Sequence, residues 1–341
     1  MVQRHATMID IAKRAGVSQA TVSMVLNDAA QGRVSPEKAQ RIHEAAAELG
    51  YRTNTHARAL REGNSRMIGF IGDEVATAPF AGELIRGAQA QAWARDHVLL
   101  SVETNADPRL EAAAIEMLLS YRVVGIIYAT MYHRIVSLPK ALREVPVVVA
   151  NAEDASGAAP SIFPDEVRGG REAAECLLGA GHRRIAMINI APEEMHLPAA
   201  TGRLQGFREA LADHRVEARE EWILHGTGGH SSGLELGRQL FSQDDRPTAV
   251  FCGNDRTALG CYQALAELGL RIPEDVSVVG FDDQDTLREC FLPALTTFQL
   301  PFDEMGRRAV RALVDGDADL ADARHCPIAT RGSTTQPKES R

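Results

Sequence analysis

Apolar residues recur at helical spacing in two short segments near the start of the chain. The apolar positions are Ile9, Ile11 and Ala12 in the first segment and Val22, Val25 and Leu26 in the second. Thr7 can cap the first helix, with Asp10 reaching back to it, and Ser18 can cap the second. Gly16 stands between them, where a left-handed residue can end a helix without a Cβ penalty. The pattern therefore predicts two helices joined by a tight turn, a helix-turn-helix.

The second helix has an outward face, because its apolar side must pack against the first helix. The candidate base-reading residues on that face are Gln19, Ala20, Ser23 and Met24. The alternative is a helical hairpin that belongs to a larger helical core and does not contact nucleic acid. A third amphipathic helix begins at Ser35 and Pro36, a cap followed by proline at the first helical position, and ends at Gly50. Three helices this close together predict a small domain with its own core.

Beyond Met67 the pattern changes to short apolar runs that alternate with amphipathic helical segments. The runs of the first half are MIGFIGD, VLLSVE, VVGIIYAT and VPVVVAN. After Ser161 we expect helices at 166–179, 202–213, 231–242 and 254–268, and strands at 184–190, 222–225, 248–252 and 276–280. Such alternation predicts βαβ units that form parallel sheets buried on both faces. Its repetition predicts two doubly wound subdomains.

Charge is distributed unevenly between these parts. The chain has 341 residues, of which 45% are hydrophobic, and a formal net charge of −9. Residues 1–62 carry nine Lys or Arg and six Asp or Glu, so this part has a net charge of +3 and the remainder −12. A weakly basic N-terminal segment followed by an acidic remainder is expected when only the N-terminal segment contacts DNA phosphates.

Cysteine usage and the N-terminal segment disfavour several other classes. The five cysteines are widely spaced, odd in number and without a C-x-x-C pair, which argues against a disulfide scaffold or a zinc site. The N-terminal segment has no apolar signal region, and no run approaches the ~20 apolar residues that span a bilayer. We therefore expect a cytoplasmic protein without a metal or a cofactor.

Several motifs together resemble those of the LacI/GalR family of transcription regulators. In chain order they are DIAKRAGVSQATVSMVLN, VSPEKAQRI, AAAELGY, ARAL, GHRRIA, CGNDRTALG, GLRIPEDVSVVGFDD and LTTFQLPFDEMG. No single phrase is unique, but their order and spacing are specific. The resemblance implies an N-terminal all-α helix-turn-helix headpiece plus hinge, followed by an α/β periplasmic-binding-protein-like core of two doubly wound subdomains.

The resemblance also implies domain boundaries. We expect the headpiece at 1–53, the hinge helix and linker at 54–65, the effector-binding and dimerisation core at 66–332, and a disordered tail at 333–341. Within the core, the N-subdomain is expected at about 66–162 plus 294–318 and the C-subdomain at about 163–291 plus 322–332. The chain is expected to cross between the two near 160–164, 289–294 and 317–324.

For DNA, the resemblance implies contacts from the headpiece and from the hinge. The expected DNA-binding residues are Thr7, Ser18, Gln19, Ala20, Thr21, Ser23, Met24, Asn27, Asn54, Arg58, Leu60 and Arg61. Leu60 is a large apolar residue in a polar, basic linker, and the matching leucine of the family enters the minor groove. The alternative is a solvated linker whose Leu60 packs on the core. Relatives commonly have arginine where Met24 stands, so the operator sequence is not implied.

Polar residues that follow predicted strands are candidate effector ligands, because ligands of open α/β sheets bind outside the carboxyl ends of the strands. The polar candidates are Asp73, Asp165, Arg203, Asn254 and Asp282, and Phe80 is a further candidate that can stack on a sugar ring. Arg203, Asp282 and Asp165 match pocket positions of the family, and a guanidinium with carboxylates suits neighbouring sugar hydroxyls. Asn254 alternatively caps a helix. Gly228 stands where many relatives have an aromatic residue that stacks on the effector, so the identity of the effector is not implied.

The sequence thus predicts a sequence-specific DNA-binding transcription regulator, a repressor, whose operator affinity is controlled by a small sugar-like effector bound between the two core subdomains. We expect a homodimer on a pseudo-palindromic operator. The alternative is a cytoplasmic sugar-binding protein without a gene-regulatory role. An enzyme is disfavoured, because the sequence contains no P-loop and no dinucleotide-binding glycine motif, and we expect no G-x-S-x-G nucleophile elbow. This architecture fits an effector that releases the protein from DNA, and it equally fits an effector that promotes DNA binding.

Overall fold

A computed structural model of the chain describes residues 6–26, 33–51, 65–75, 82–316 and 322–338. Six predicted site residues lie outside the described residues, namely Asn27, Asn54, Arg58, Leu60, Arg61 and Phe80. The predicted hinge also lies outside them, apart from Ser65. The chain divides into two compact units, Met1–Ser65 and Arg66–Arg341.

The first unit contains the helices α1 (Met8–Ala15), α2 (Gln19–Leu26) and α3 (Pro36–Glu48). They share an apolar core whose central members are Ile11, Val22, Val25 and Ile42, each at most 3% exposed. These residues are the ones that the helical spacing placed on the inner faces. The predicted helical headpiece is therefore confirmed.

Capping residues fix the turn between α1 and α2. Asp10 N donates to Thr7 Oγ1 over 3.3 Å and Thr7 N donates to Asp10 Oδ2 over 2.9 Å, which forms a capping box. Gly16 ends α1 with a φ of +68°. Thr21 N then donates to Ser18 Oγ over 3.1 Å at the start of α2. Local hydrogen bonds of this kind hold the second helix at a defined angle to the first.

The second unit alternates strands and helices. Its strands are β1 (Met67–Asp73), β2 (Val98–Glu103), β3 (Ile126–Val136), β4 (Val147–Asp154), β5 (Ser161–Pro164), β6 (Ile185–Asn189), β7 (Ile223–His225), β8 (Ala249–Cys252), β9 (Ser277–Val279), β10 (Thr297–Phe298), β11 (Ala323–Arg324) and β12 (Ile328–Ala329). Its helices are α4 (Gly82–Trp93), α5 (Pro108–Ser120), α6 (Glu166–Gly179), α7 (Pro198–Asp213), α8 (His230–Phe241), α9 (Asp255–Glu267) and α10 (Phe302–Asp315).

Within the described residues, these strands form two parallel sheets and a short antiparallel pair. The first sheet has the order β11-β5-β4-β3-β1-β2 and the second has the order β7-β6-β8-β9. The pair β10–β12 is antiparallel. Strands of both sheets are largely buried, as expected when helices cover both faces. The predicted two doubly wound parts are therefore confirmed.

Three helix pairs pack so closely that each pair depends on glycine. The pairs are α4 with α10, α6 with α7, and α8 with α9. A Cβ atom on Gly87 would lie 2.1 Å from Asp303 O, and one on Gly206 would lie 1.8 Å from Val167 O. One on Gly260 would lie 2.1 Å from His230 O. Only glycine allows the backbones to approach this closely.

The C-terminal part differs from the expectation. Ala323 pairs with Phe163 and Arg324 with Pro164, so the segments in which we expected the chain to cross between the subdomains, 160–164 and 317–324, lie side by side. The tail beyond 332 was expected to be disordered, but the described residues to 338 pack on β9. Ser333 Oγ donates to Val278 O over 2.6 Å, and Thr335 N donates to Ser277 Oγ over 3.0 Å. Backbone and hydroxyl hydrogen bonds order a segment that has little apolar content.

Two element boundaries also differ from the expectation. Helix α7 begins at Pro198, four residues before the predicted start at 202, because proline fits the first helical turn. Strand β7 begins at Ile223, because Glu220–Trp222 forms a 3₁₀ turn. None of the described helices is both long enough and apolar enough to cross a bilayer.

Candidate functional site

The outward face of α2 carries the candidate base-reading residues. Gln19 and Ala20 are exposed, whereas Ser23 and Met24 are half-buried. The hydroxyl of Ser18 lies at the N-terminus of the same helix, beside the Thr21 backbone. A helix that presents short side chains on one free face fits the major groove. The individual roles of these residues stay a prediction.

A second candidate site is a small polar cavity in the core, with a volume of about 10 Å³ between the two sheets, which is room for about one water molecule. Its polar lining comes from β3, from β4, from the starts of α6 and α7, and from the loops after β8 and β9. The polar side chains are Tyr132, His133, Asn151, Glu166, Arg203, Asn254 and Asp282. Three of the predicted effector residues, Arg203, Asn254 and Asp282, thus meet in one place.

Arg203 lies at the centre of this cavity and is 3% exposed. Its Nε donates to Glu166 Oε2 over 2.7 Å, and its Nη1 donates to Gly253 O over 2.5 Å. The guanidinium carbon lies 3.9 Å from the ring centroid of Phe281, and Asp282 Oδ1 is 3.7 Å from Nη1. Burial would lower the pKa of Arg203, but the two carboxylates outweigh it and raise that pKa. The buried cation is therefore fully paired.

Glu166 was missed by the sequence analysis, which named the adjacent Asp165 instead. Asp165 Oδ1 accepts from Arg168 N over 3.1 Å and caps α6, so its carboxylate does not line the cavity. Glu166 is 4% exposed and faces Arg203. Burial would raise the pKa of Glu166, but the Arg203 charge outweighs it and holds that pKa below its ordinary value. The preference of Asp for N-cap positions is a signal that could have separated the two acids.

Asp282 follows β9 in an unusual backbone conformation, with a φ of +108°. Its Oδ2 accepts from Gln284 Nε2 over 2.8 Å, and 8% of the residue is exposed. Burial raises the pKa of Asp282 to about 6, although Arg203 opposes the rise. A non-glycine residue at positive φ is held there by its surroundings and is often found at a ligand site.

The pairing between β3 and β4 shifts register between Ala129 and Arg134. Asn151 holds the shifted segment, because its Nδ2 donates to Thr130 O over 2.9 Å and to Met131 O over 2.8 Å. The bulge turns the segment that follows toward the second sheet. The apolar run that predicts this strand ends at residue 130, so the extension could not be expected from it.

The bulge brings Tyr132 and His133 to the cavity. Arg256 Nη2, from α9, donates to Tyr132 Oη over 2.6 Å. The His133 ring stacks on Phe163 with a centroid distance of 4.7 Å. The cavity is therefore lined from both sheets, and a bound molecule would contact both.

The two remaining described candidates differ in position. Asn254 lines the cavity but also caps α9, since its Oδ1 accepts from Thr257 N over 2.8 Å and its Nδ2 donates to Gly228 O over 3.0 Å. Asp73 does not line it, and pairs with Arg134 instead. Asp73 is therefore placed to hold the end of β3.

A larger cleft, with a volume of about 860 Å³, lies near the end of α10 and the residues 137–146. Its lining is mostly apolar, with Arg143 and Asp154 as its charged members. The Asp154 carboxylate accepts from the backbone N–H groups of Ser156, Ala158 and Ala159 and orders its own loop. Since this cleft offers few free polar groups, the smaller cavity is the better candidate for a polar ligand.

Residues 229–233, GHSSG, match the spacing of the G-x-S-x-G serine-hydrolase motif, so the expectation that the sequence lacks this motif was wrong. Ser231 is exposed and is the second residue of α8 rather than the residue at the turn between strand and helix. Among the described residues, no histidine makes a hydrogen bond to its hydroxyl. The motif therefore lacks the base that such a nucleophile requires.

Comparisons with known proteins agree with this arrangement. The family model "Bacterial regulatory proteins, lacI family" matches residues 7–54, and the model "Periplasmic binding protein-like domain" matches residues 174–334. The HTH-type transcriptional repressor PurR of Serratia proteamaculans is 34% identical over 313 residues, which are 91% of this chain and 90% of that protein.

Two solved structures extend the similarity to the full architecture. The lac repressor dimer bound to operator and the anti-inducer ONPF is 26% identical, covers 97% of this chain and 100% of its own, and has a TM-score of 0.82. The complex of the transcriptional regulator CelR with cellobiose is 27% identical, with coverages of 96% and 99% and a TM-score of 0.65.

Proposed function

Because the chain belongs to the LacI family of bacterial regulatory proteins, we propose that a neutral sugar bound around Arg203 controls its affinity for an operator. As a member of that family it is a DNA-binding transcription repressor whose core binds a small-molecule effector. The nature of the effector and the residues that hold it are the proposed part.

One observation carries the choice of a neutral sugar. Arg203, the buried cation of the cavity, is already paired with Glu166 and lies 3.7 Å from Asp282. A phosphate would have to displace these carboxylates or lie beside them, and like charges in a buried site repel strongly. A hydroxyl can accept from a guanidinium and donate to a carboxylate without adding charge. The cellobiose complex of CelR supports the same class of ligand.

For DNA, we propose that two copies of the headpiece bind the half-sites of a pseudo-palindrome. Repressors of this family act as dimers, and the matched lac repressor structure is a dimer on its operator. Doubling a small interface raises affinity and sets the spacing of the half-sites. Gln19, Ala20 and Met24 would read the bases. Leu60, outside the described residues, would enter the minor groove between the half-sites. Operator binding in turn implies a location in the cytoplasm.

The test of the effector class uses the full-length protein. Thermal unfolding is followed with glucose, galactose, xylose, cellobiose and maltose, and with glucose 6-phosphate and galactose 6-phosphate. A ligand at ~100 times its dissociation constant adds about 2.7 kcal/mol to the free energy of unfolding. We expect at least one neutral sugar to stabilise the protein and to change its operator affinity. Stabilisation by the phosphates alone would contradict the proposal.

Two variants on one helix locate the site. Arg203→Ala should abolish the effect of the sugar on operator binding, because it removes charge-assisted hydrogen bonds at the centre of the cavity. Arg208→Ala is the matched control, since Arg208 lies on the same helix but pairs with Glu193 and Glu220 at the surface. A normal sugar response in Arg203→Ala would show that the effector binds elsewhere.

A further inference from the structure

Two buried polar atoms in the cavity lack a hydrogen-bond partner among the described residues. They are Glu166 Oε1 and His133 Nδ1, which lie 3.5 Å apart. The two residues are 4% and 5% exposed. At this distance the two atoms make at most a weak ionic contact with each other, and buried polar atoms are nearly always hydrogen-bonded, so both remain able to bind a further group.

Both side chains are held in place through their other atoms. Glu166 Oε2 accepts from Arg203 Nε over 2.7 Å. His133 Nε2 lies 3.1 Å from Glu153 Oε1, and its ring stacks on Phe163. Neither group can turn away to find another partner without breaking these contacts. The pair is therefore preorganised.

The distance between the two atoms suits one oxygen atom placed beside them. A separation of 3.5 Å exceeds the range of a good direct hydrogen bond, which is about 2.7–3.2 Å. An oxygen atom can lie about 2.8 Å from Glu166 Oε1 and about 2.8 Å from His133 Nδ1 at the same time. A hydroxyl there can donate to Glu166 Oε1 and accept from His133 Nδ1 in the doubly protonated form of the ring, in which Nε2 also donates to Glu153.

We propose that Glu166 and His133 determine effector specificity by binding one hydroxyl of the sugar between them. This inference rests on the proposed neutral-sugar effector. His133 is on β3 in the first sheet, whereas Glu166 is on α6, which packs against α7 and against strands of the second sheet. The bound hydroxyl therefore links the two halves of the core. A sugar without that hydroxyl leaves both atoms unpaired and binds more weakly.

The experiment measures the affinity of the full-length protein for the stabilising sugar among glucose, galactose, xylose, cellobiose and maltose, and for its monodeoxy analogues. The wild type should lose at least ~10-fold in affinity when one particular hydroxyl is missing. Glu166→Gln and His133→Gln should lose affinity for the parent sugar but discriminate less than ~3-fold at that same position. Discrimination at the other positions should not change, which a general structural defect would not produce.

The matched controls come from another histidine–glutamate pair. His225 Nε2 lies 3.8 Å from Glu193 Oε1 at the surface, outside the cavity. His225→Gln and Glu193→Gln should bind the sugar and its analogues as the wild type does. If Glu166→Gln does not fold, His133→Gln carries the test alone, because it leaves the pair of Glu166 and Arg203 intact.

Three results would overturn the inference. If both cavity variants keep full discrimination at the critical hydroxyl, the pair does not bind it, and the neutral-sugar proposal stands. If an amino sugar with –NH₃⁺ at that position binds more tightly than the parent sugar, the group between the two atoms is not a hydroxyl. If no neutral sugar in the panel stabilises the wild type, the proposed effector class fails and this inference fails with it.

Discussion

Thr297 Oγ1 donates a hydrogen bond of 2.6 Å to Asp255 Oδ1 in the interior behind the cavity. Gln284 N donates to the second oxygen of the same carboxyl over 2.8 Å. Asp255 is 2% exposed, and burial together with the nearby Asp282 charge raises its pKa to about 8. At neutral pH the folded protein therefore keeps a proton on Asp255 that the unfolded chain releases near pH 4.

This proton makes the stability of the core depend on pH. Between about pH 4 and pH 8 the folded state binds more protons than the unfolded state at Asp255, so the free energy of unfolding falls as pH rises. Asp255→Asn stays neutral and can keep both hydrogen bonds if the Thr297 hydroxyl reverses. We expect the variant to match the wild type near pH 5 and to be more stable at pH 8. Urea unfolding between pH 5 and pH 8 measures the free energy of unfolding of both proteins. The same dependence on pH in the variant and in the wild type would contradict the prediction.

Asp275→Asn is the control, because the pKa of Asp275 is shifted in the direction opposite to that of Asp255. Hydrogen bonds from Arg271 and Lys338 hold the pKa of Asp275 below its ordinary value. Its contribution to stability is present above about pH 4, where the unfolded chain is already ionised, and is lost in acid. The variant should therefore be less stable than the wild type by a similar amount at pH 5 and at pH 8.

The close packing of α6 on α7 gives a second prediction. A Cβ atom on Gly206 would lie 1.8 Å from Val167 O and 2.6 Å from Arg171 N, both of them backbone atoms. Gly206→Ala must therefore move the helices apart and should lower the free energy of unfolding by about 1–3 kcal/mol or more. It should also weaken sugar binding, because Glu166 and Arg203 lie on these two helices.

Gly179→Ala is the matched control for this substitution. Gly179 also belongs to α6, but no heavy atom beyond its chain neighbours and the adjacent backbone of its own helix lies within 4 Å of the position that its Cβ would take. Alanine is a better helix former than glycine, so stability should stay unchanged or rise by up to about 1 kcal/mol. Denaturant unfolding of the two variants compares them. Equal losses of stability would show that backbone contact between the helices is not the cause.

The fold could largely be predicted from the sequence, because apolar spacing decides which face of an element is buried. Ile11, Val22 and Ile42 lie where the helical period places them. The core strands likewise lie where apolar runs are bounded by helices. The order of the strands in each sheet depends on contacts between distant segments, and here the resemblance to a known family supplied what periodicity alone does not.

The candidate site was only partly predictable. Asp282 follows from its position after a predicted strand, whereas Arg203 follows from the resemblance to the family. Glu166 was missed because it adjoins another acid, and the sequence does not show which of the two turns inward. His133 was missed because a bulge, rather than a regular strand, directs it to the cavity. Bulges depend on tertiary hydrogen bonds such as those of Asn151, and these leave no periodic signal.

A third prediction concerns the reading of DNA by α2. Met24 is half-buried on the side of this helix that we expect to face DNA. Met24→Arg adds a side chain that can make two hydrogen bonds to guanine, worth about 1–3 kcal/mol of discrimination. Selection from randomised operators should therefore show a new preference for guanine at one symmetric position.

Gln40→Arg is the control for added charge. Gln40 is exposed on α3, outside the proposed reading helix, and bonds to Glu44. This variant should strengthen binding to all sequences alike, because phosphate contacts carry no sequence information. An unchanged selected motif for Met24→Arg would show that position 24 does not contact a base.

The last prediction concerns Asn151, which holds the bulge of β3 while adopting a φ of +55°. Asn151→Ala leaves the carbonyls of Thr130 and Met131 without their donor, at about 1–3 kcal/mol, and adds strain, since alanine resists positive φ. Asn151→Gly loses the same hydrogen bonds but relieves the strain, so it should be more stable than Asn151→Ala by about 1 kcal/mol. Both variants should bind sugar more weakly, because the bulge positions His133. Unfolding and sugar titration of both variants test this, and wild-type sugar affinity in Asn151→Gly would show that the bulge does not shape the site.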